Sequence, residues 1–240
     1  MLGGAVDDAT ARQLRPCQTA SPGRLPAAMP VTAKICGLST PATLDAAVAG
    51  GASHIGFVFF PPSPRHVTFD QSAALAAQVP DHVARVGVFV DPEDALLDQA
   101  IRAARLDAIQ LHRATPERAA AIGARTHLPV WAAVAVKTRA DLDTAHAFRG
   151  AAQRILYDAK VPGDAKLPGG MGLRFDWTLL QRFDHPLPWA LSGGLDADNV
   201  AEAVGISGAR LVDVSSGVES APGVKDMAKI AAFLKAVASL

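Results

Sequence analysis

Long apolar runs, a set of cysteines and an excess of either charge are all missing from this chain of 240 residues. Its two cysteines, Cys17 and Cys36, cannot build a disulfide framework, and such usage suits a reducing compartment. Lys plus Arg and Asp plus Glu balance at 23 each, so the chain has no electrostatic footprint for nucleic acid or an acidic membrane surface. The longest uninterrupted apolar runs, such as 130–136, fall far short of the roughly 20 residues of a spanning helix. Residues 1–28 carry Asp7, Asp8, Arg12, Arg15 and Arg24 with no apolar block between them, unlike a signal peptide or a membrane anchor. His54, His82, His127, His146 and His185 are scattered without metal-ligand spacing, so no metal is expected. These absences exclude a secreted scaffold, a membrane protein and an ordinary DNA binder. With half its residues hydrophobic, the chain is not a disordered one either. A soluble, cytoplasmic globular protein is expected, most often an enzyme.

What is present is a regular alternation. Residues 1–28 are rich in proline and glycine, show no clear period, and read as a poorly ordered extension. From residue 31 short apolar or β-branched runs alternate with alanine-rich helical stretches. Strands are predicted at 32–36, 54–59, 85–90, 108–111, 130–136, 154–157, 188–191 and 211–214. Helices are predicted at 41–49, 70–78, 92–105, 116–125, 138–148, 176–182, 197–204 and 225–238. Thr40-Pro41, Asp91-Pro92 and Thr115-Pro116 each place a capping residue before a proline at the first helical position. Eight strand–helix units of about 26 residues each approach the ~250-residue total of a (β/α)₈ barrel. Strand-then-helix order throughout demands parallel strands. A doubly wound open sheet is the rival, but Lys34-Ile35-Cys36-Gly37-Leu38 lacks the G-x-G-x-x-G turn of its nucleotide-binding form. The expected fold is therefore α/β, a single (β/α)₈ TIM barrel over 29–240.

In such a barrel function gathers at the C-terminal ends of the strands. Strand 7 runs into Ser192-Gly193-Gly194 and strand 8 into Ser215-Ser216-Gly217. Small residues let backbone N–H groups approach an anion, and these two loops frequently hold phosphate in barrels; read singly, each is an ordinary strand-end turn. Cys36 closes strand 1, either as a small buried hydrophobe or as a base or nucleophile, with Lys34 on the same face to favour its thiolate. Asp158 follows strand 6 as an acid or base, or else as a partner of Lys160 or a loop cap. The glycine-rich loop 169–172 either closes over a substrate or simply connects. Arg65, on a loop stiffened by Pro61, Pro62 and Pro64, suits a planar carboxylate gripped through two N–H bonds, or lies on the surface. His66 reads as loop packing, Gln110 and His112 as residues that face the site, and Asp213 as a supporting or interior hydrogen-bonded group.

Taken together these motifs resemble a known family. Lys34-Ile35-Cys36-Gly37, Gly56-Phe57-Val58-Phe59 with Ser63-Pro64-Arg65, Gln110-Leu111-His112, Asp158, Gly169-Gly170 through Phe175-Asp176-Trp177, Leu191-Ser192-Gly193-Gly194-Leu195 with Asn199-Val200, and the stretch 212–219 with Gly223-Val224-Lys225-Asp226 closely resemble phosphoribosylanthranilate isomerase of tryptophan biosynthesis. The likeness runs in order from about residue 32 to the C-terminus. It implies an Amadori rearrangement of N-(5-phosphoribosyl)anthranilate to the 1-deoxyribulose 5-phosphate derivative, with a small phosphoribosyl substrate, no cofactor, and a monomer or homodimer. By that resemblance Cys36 takes the place of the general base and Asp158 that of the general acid. Arg65 matches the residue that holds the anthranilate carboxylate, and Gly193, Gly194, Ser215, Ser216 and Gly217 match the phosphate loops. Two departures are visible: Arg113 stands where glycine is usual, and Met171 where threonine is common. A related phosphosugar isomerase of histidine biosynthesis would use two aspartates, and strand 1 here ends in cysteine. A phosphate-ligand sensor on the same fold would keep the glycine loops and have no need of the Cys36–Asp158 pair.

Overall fold

A computed structural model describes residues 30–162, 167 and 169–240. The expected extension, with Cys17, lies outside the described residues. Eight parallel strands close into a barrel in sequence order: β1 (Thr32–Cys36), β2 (His54–Val58), β3 (Ala84–Val90), β4 (Ala108–His112), β5 (Val130–Val136), β6 (Arg154–Ala159), β7 (Trp189–Leu191) and β8 (Leu211–Val214). Closure is direct, because β1 pairs with β8 in parallel register, Lys34 beside Asp213. Within the barrel, none of the eight strands is left with a free edge.

The helices form the outer ring: α1 (Pro41–Ala49), α2 (Phe69–Ala76), α3 (Asp94–Ala104), α4 (Pro116–Thr126), the short α5 (Arg139–Asp143), α6 (Val200–Ser207) and α7 (Met227–Ala238). Threonine caps work as the sequence leads one to expect at Thr40, which accepts from Thr43 N, and at Thr115, which accepts from Arg118 N. Thr68 and Gln71 add a reciprocal capping box at α2. Asp91 does not cap α3: its φ is +42°, and the helix begins two residues after Pro92 behind Glu93. In α7 the side chains of Ile230, Phe233, Leu234 and Val237 form one apolar stripe at helical spacing, and all are buried. Each such side chain contributes about 1.5–3 kcal/mol on burial.

Three predicted helices differ from the structure. The stretch after β5 is split, α5 being followed by a 3-10 turn over Thr144–Phe148. After β6 there is only a 3-10 turn, Trp177–Leu180. There the Arg139 guanidinium donates to the carbonyls of Leu179, Gln181 and Arg182, supplying the partners that a further helical turn would have given. α6 starts later than its apolar pattern suggests. Asn199 reaches back, its Nδ2 donating to Gly194 O and its Oδ1 accepting from Asp196 N, so the segment before it serves the β7 loop.

Strand registers fix which residues point into the barrel. Val86, Ala108, Trp131, Leu156, Ala190 and Leu211 form an apolar plug, and Cys36, Val58 and Val88 pack together nearer the mouth. Among the described residues no helix is long and apolar enough to cross a membrane.

Candidate active site

The mouth of the barrel opens into a cavity with about 820 Å³ of empty space, the part open to solvent included. Its wall includes Cys36, Arg65, Gln110, His112, Asp158, Ser192, Gly193, Gly194, Asp213, Ser215 and Ser216, together with Leu167 and Gly169–Leu173 of the loop after β6. Strand period 2 puts Lys34 and Cys36 on one face of β1, and Leu156 and Asp158 on one face of β6, so both reactive groups turn inward. Asp158 lies within β6 rather than after it. Lys160 is not its partner but binds Asp141 at 2.7 Å.

Asp158 is buried, and Ala159 N donates to its Oδ1 at 2.9 Å. Burial, then the nearby Asp213 carboxylate, raises its pKa to about 7. Gly169 lies against it: a methyl added there would sit 2.5 Å from Asp158 Oδ2. Gly169 of the loop after β6 thus packs directly on the acid. Cys36 is free and buried. Its thiol is pushed up by burial, drawn down by Lys34 and Lys225, and raised again by Asp213. The net direction is upward. The ammonium does favour the thiolate, but desolvation of a buried sulfur outweighs it.

Arg65 is held by groups not singled out as its partners from the sequence. Its Nε donates to Glu219 Oε1 at 2.7 Å, and its Nη2 donates to Glu219 Oε2 at 2.8 Å and to Gly170 O at 2.9 Å. Lys225 Nζ donates to the same Glu219 Oε1 at 2.7 Å and to Ser215 O at 2.9 Å. Glu219 thus ties the arginine of the β2 loop to the β8 loop, and Arg65 ties both to the loop after β6. The two-pronged face of the guanidinium is already taken by Glu219, which leaves Nη1 without a hydrogen bond among the described residues.

Gly193 and Gly194 both have positive φ, +91° and +64°. At Gly193 a side chain would also meet Ala159 N at 2.8 Å and Asp158 Oδ1 at 3.2 Å, so glycine is required on both counts. Ser215 and Ser216 face the same cavity, and a 3-10 turn over Ser216–Val218 begins there. Gly217 does not line the cavity. A methyl on it would run into the Leu195 carbonyl, so its part is to let the β7 and β8 loops close on each other. Replacing Gly217 with Ala is expected to force those loops apart at about 1–3 kcal/mol, read as a lower midpoint of thermal unfolding.

A profile of the family N-(5'phosphoribosyl)anthranilate (PRA) isomerase matches residues 33–236. The chain belongs to this isomerase family. An N-(5'-phosphoribosyl)anthranilate isomerase of Zymomonas mobilis subsp. pomaceae is 56% identical over 213 residues, covering 87% of this chain and 99% of that protein. One from Paramagnetospirillum magneticum is 53% identical over 209 residues, covering 87% and 97%. The crystal structure of the Thermotoga maritima phosphoribosyl anthranilate isomerase superposes with a TM-score of 0.79 at 34% identity, covering 88% of this chain and all of that one. Another crystal structure of a phosphoribosyl anthranilate isomerase, in complex with reduced 1-(o-carboxyphenylamino)-1-deoxyribulose 5-phosphate, superposes at 0.76 with 33% identity over the same shares.

Against that family pattern, Arg113 has a φ of +59°, the region glycine favours, which accounts for the usual glycine. Met171 is half exposed on the loop over the isomerase cavity. Gln110 and His112 pair through their Nε2 atoms at 3.0 Å, and burial with the Lys34 charge lowers His112 to about 4, so it faces the site as neutral imidazole. His66 is partly exposed in the β2 loop, with a buried Nδ1 that has no hydrogen bond among the described residues. Asp213 is both interior and paired, bonding Lys34 and Ser192. Among the described residues no cluster of His, Cys, Asp or Glu could hold a metal ion.

Proposed function

We propose that this chain isomerises N-(5'-phosphoribosyl)anthranilate to 1-(2-carboxyphenylamino)-1-deoxyribulose 5-phosphate, with Asp158 as general acid and Cys36 as general base. The observation that carries the reading is that Asp158 and Cys36, from strands 6 and 1, face one cavity whose other walls are the two serine–glycine loops and Arg65. With a pKa of about 7, Asp158 is about half protonated at neutral pH. Its proton goes to the ribose ring oxygen, the C1′–O4′ bond breaks, and an iminium forms. Cys36 as thiolate removes the C2′ proton to give an enolamine. The enolamine then gains a proton at C1′ and loses one from the 2′-hydroxyl, so hydrogen and electrons balance within the substrate. Each positioned proton transfer contributes about 10²–10⁴-fold.

The phosphate sits at Gly193, Gly194, Ser215 and Ser216, where Gly193 and Gly194 N–H groups have no acceptor among the described residues. The anthranilate carboxylate meets Arg65 at Nη1 and displaces the Gly170 carbonyl from Nη2. Fixing both ends of the substrate aligns the sugar between acid and base. Every group named belongs to one chain, so a single barrel, as monomer or in a homodimer, suffices. A free thiol as base fits a reducing cytoplasm.

The test is turnover. Purified chain added to N-(5'-phosphoribosyl)anthranilate is expected to quench the anthranilate fluorescence in proportion to enzyme. Decay no faster than without protein would leave a phosphate-ligand sensor as the better account.

A further inference from the structure

A charged pair lies buried inside the barrel between the proposed acid and base. Lys34 is fully buried, two residues below Cys36 on the same inward face of β1. Its Nζ donates to Asp213 Oδ1 at 2.8 Å, on the adjoining strand β8. The other carboxylate oxygen, Asp213 Oδ2, accepts from Ser192 Oγ at 3.4 Å, at the end of β7 and beside β6, the strand that carries Asp158. On the opposite side Gly56 leaves the room that the pair requires. A methyl there would lie 3.0 Å from Cys36 Sγ and 3.2 Å from Lys34 Nζ, so the ammonium and the sulfur share one pocket. A packed apolar pair of similar volume would fill this space at no loss of stability. The charges call for another reason.

We propose that the Lys34–Asp213 pair sets the polarity of the acid–base site, its ammonium end stabilising the Cys36 thiolate and its carboxylate end, acting through space across the barrel mouth, keeping Asp158 protonated. Lys34 and Asp213 are positioning residues, and the proposal rests on the assignment of Cys36 and Asp158 made above. The ordering of influences agrees with the geometry. At Cys36 the downward pull of Lys34 exceeds the upward push of Asp213; at Asp158 the upward push of Asp213 exceeds the downward pull of Lys34. Lys225, on the β8 side, adds to the pull at Cys36. His112 on β4 and His54 on β2 are both lowered to about 4, chiefly by burial, and add no charge at neutral pH. Burial alone would discharge Lys34, but Asp213 and the sulfur outweigh it and hold it charged.

The consequence is a matter of which tautomer exists. When one proton is shared between acid and base, turnover needs it on Asp158 and not on Cys36. Asp158 titrates near 7 and Cys36 higher, so the reactive arrangement is the minor one, and each further unit of separation lowers it about tenfold.

The double variant Lys34→Met/Asp213→Asn removes both charges without leaving either one buried alone. The expected result is a bell-shaped kcat/KM profile that is lower by at least about tenfold and also wider, its acidic limb moved down and its basic limb moved up. In a Cys17→Ser background, alkylation of Cys36 by iodoacetamide is expected to shift to higher pH by the same interval as the basic limb. A bell that drops without widening, or an alkylation profile that stays in place, overturns the proposal. Cys36→Ser keeps the two readings distinguishable: full turnover in that variant removes the base assignment itself, whatever the double variant does.

Discussion

Asp158→Asn and Cys36→Ser are each expected to lower kcat by about 10²–10⁴-fold with the barrel intact. The physical case for Asp158 is the stronger. Its amide replacement keeps an oxygen for the Ala159 N–H, at present 2.9 Å from Oδ1, so the strand end is not disturbed. What disappears is a dissociable proton held ready near pH 7. Cys36→Ser keeps size and position in the packed group with Val58 and Val88, but a hydroxyl is a far weaker acid than a thiol, and the nearby ammonium of Lys34 cannot make up that difference. Steady-state fluorescence gives kcat; thermal unfolding and affinity for a reduced product analogue report the fold and the pocket. Turnover near that of the parent chain in either variant removes that residue from its role.

Arg65→Ala is expected to raise KM by about 2–5 kcal/mol of lost binding, the cost of truncating one partner of a buried, hydrogen-bonded charge pair. The loss has two sources. The substrate carboxylate loses the guanidinium edge at the cavity. The Glu219 carboxylate loses two of its three cationic hydrogen bonds, keeping that from Lys225, and with them the tie between the β2 and β8 loops. The two sources separate with a substrate analogue that lacks the carboxylate. If Arg65 grips that group, the analogue's KM rises far less than the substrate's on mutation. Equal losses for both would show that Arg65 serves only to hold loops together. Glu219→Gln, which keeps the shape and removes the charge, is the control for the second source.

How much of this was legible in the linear chain differs from element to element. All eight strands were marked by their apolar runs, and most boundaries fall within two residues, because strands buried on both faces leave a near-continuous apolar signature. Helices with a good cap and an apolar stripe, such as α1, α4 and α7, were equally visible. The 3-10 turn after β6 was not, since its shape depends on Arg139 reaching it from α5, across a span of about 40 residues. That Cys36, Asp158 and the serine–glycine loops would gather at one cavity was legible from position, because strand ends of a barrel converge on one mouth. Glu219 as the holder of Arg65, and Lys225 as its counter-ion, had no local signal; the Arg65–Glu219 contact joins residues 154 positions apart.

Sequence alone determined the period, the order of strands and helices, the residue types at the strand ends, and through them the family. Tertiary structure decided the electrostatics. Closing β1 onto β8 brought Lys34 to Asp213 across 179 positions and took both out of water, together with the thiol and the carboxyl group beside them. The sign of a pKa shift depends on desolvation and on charges through space, and neither exists until the barrel has closed.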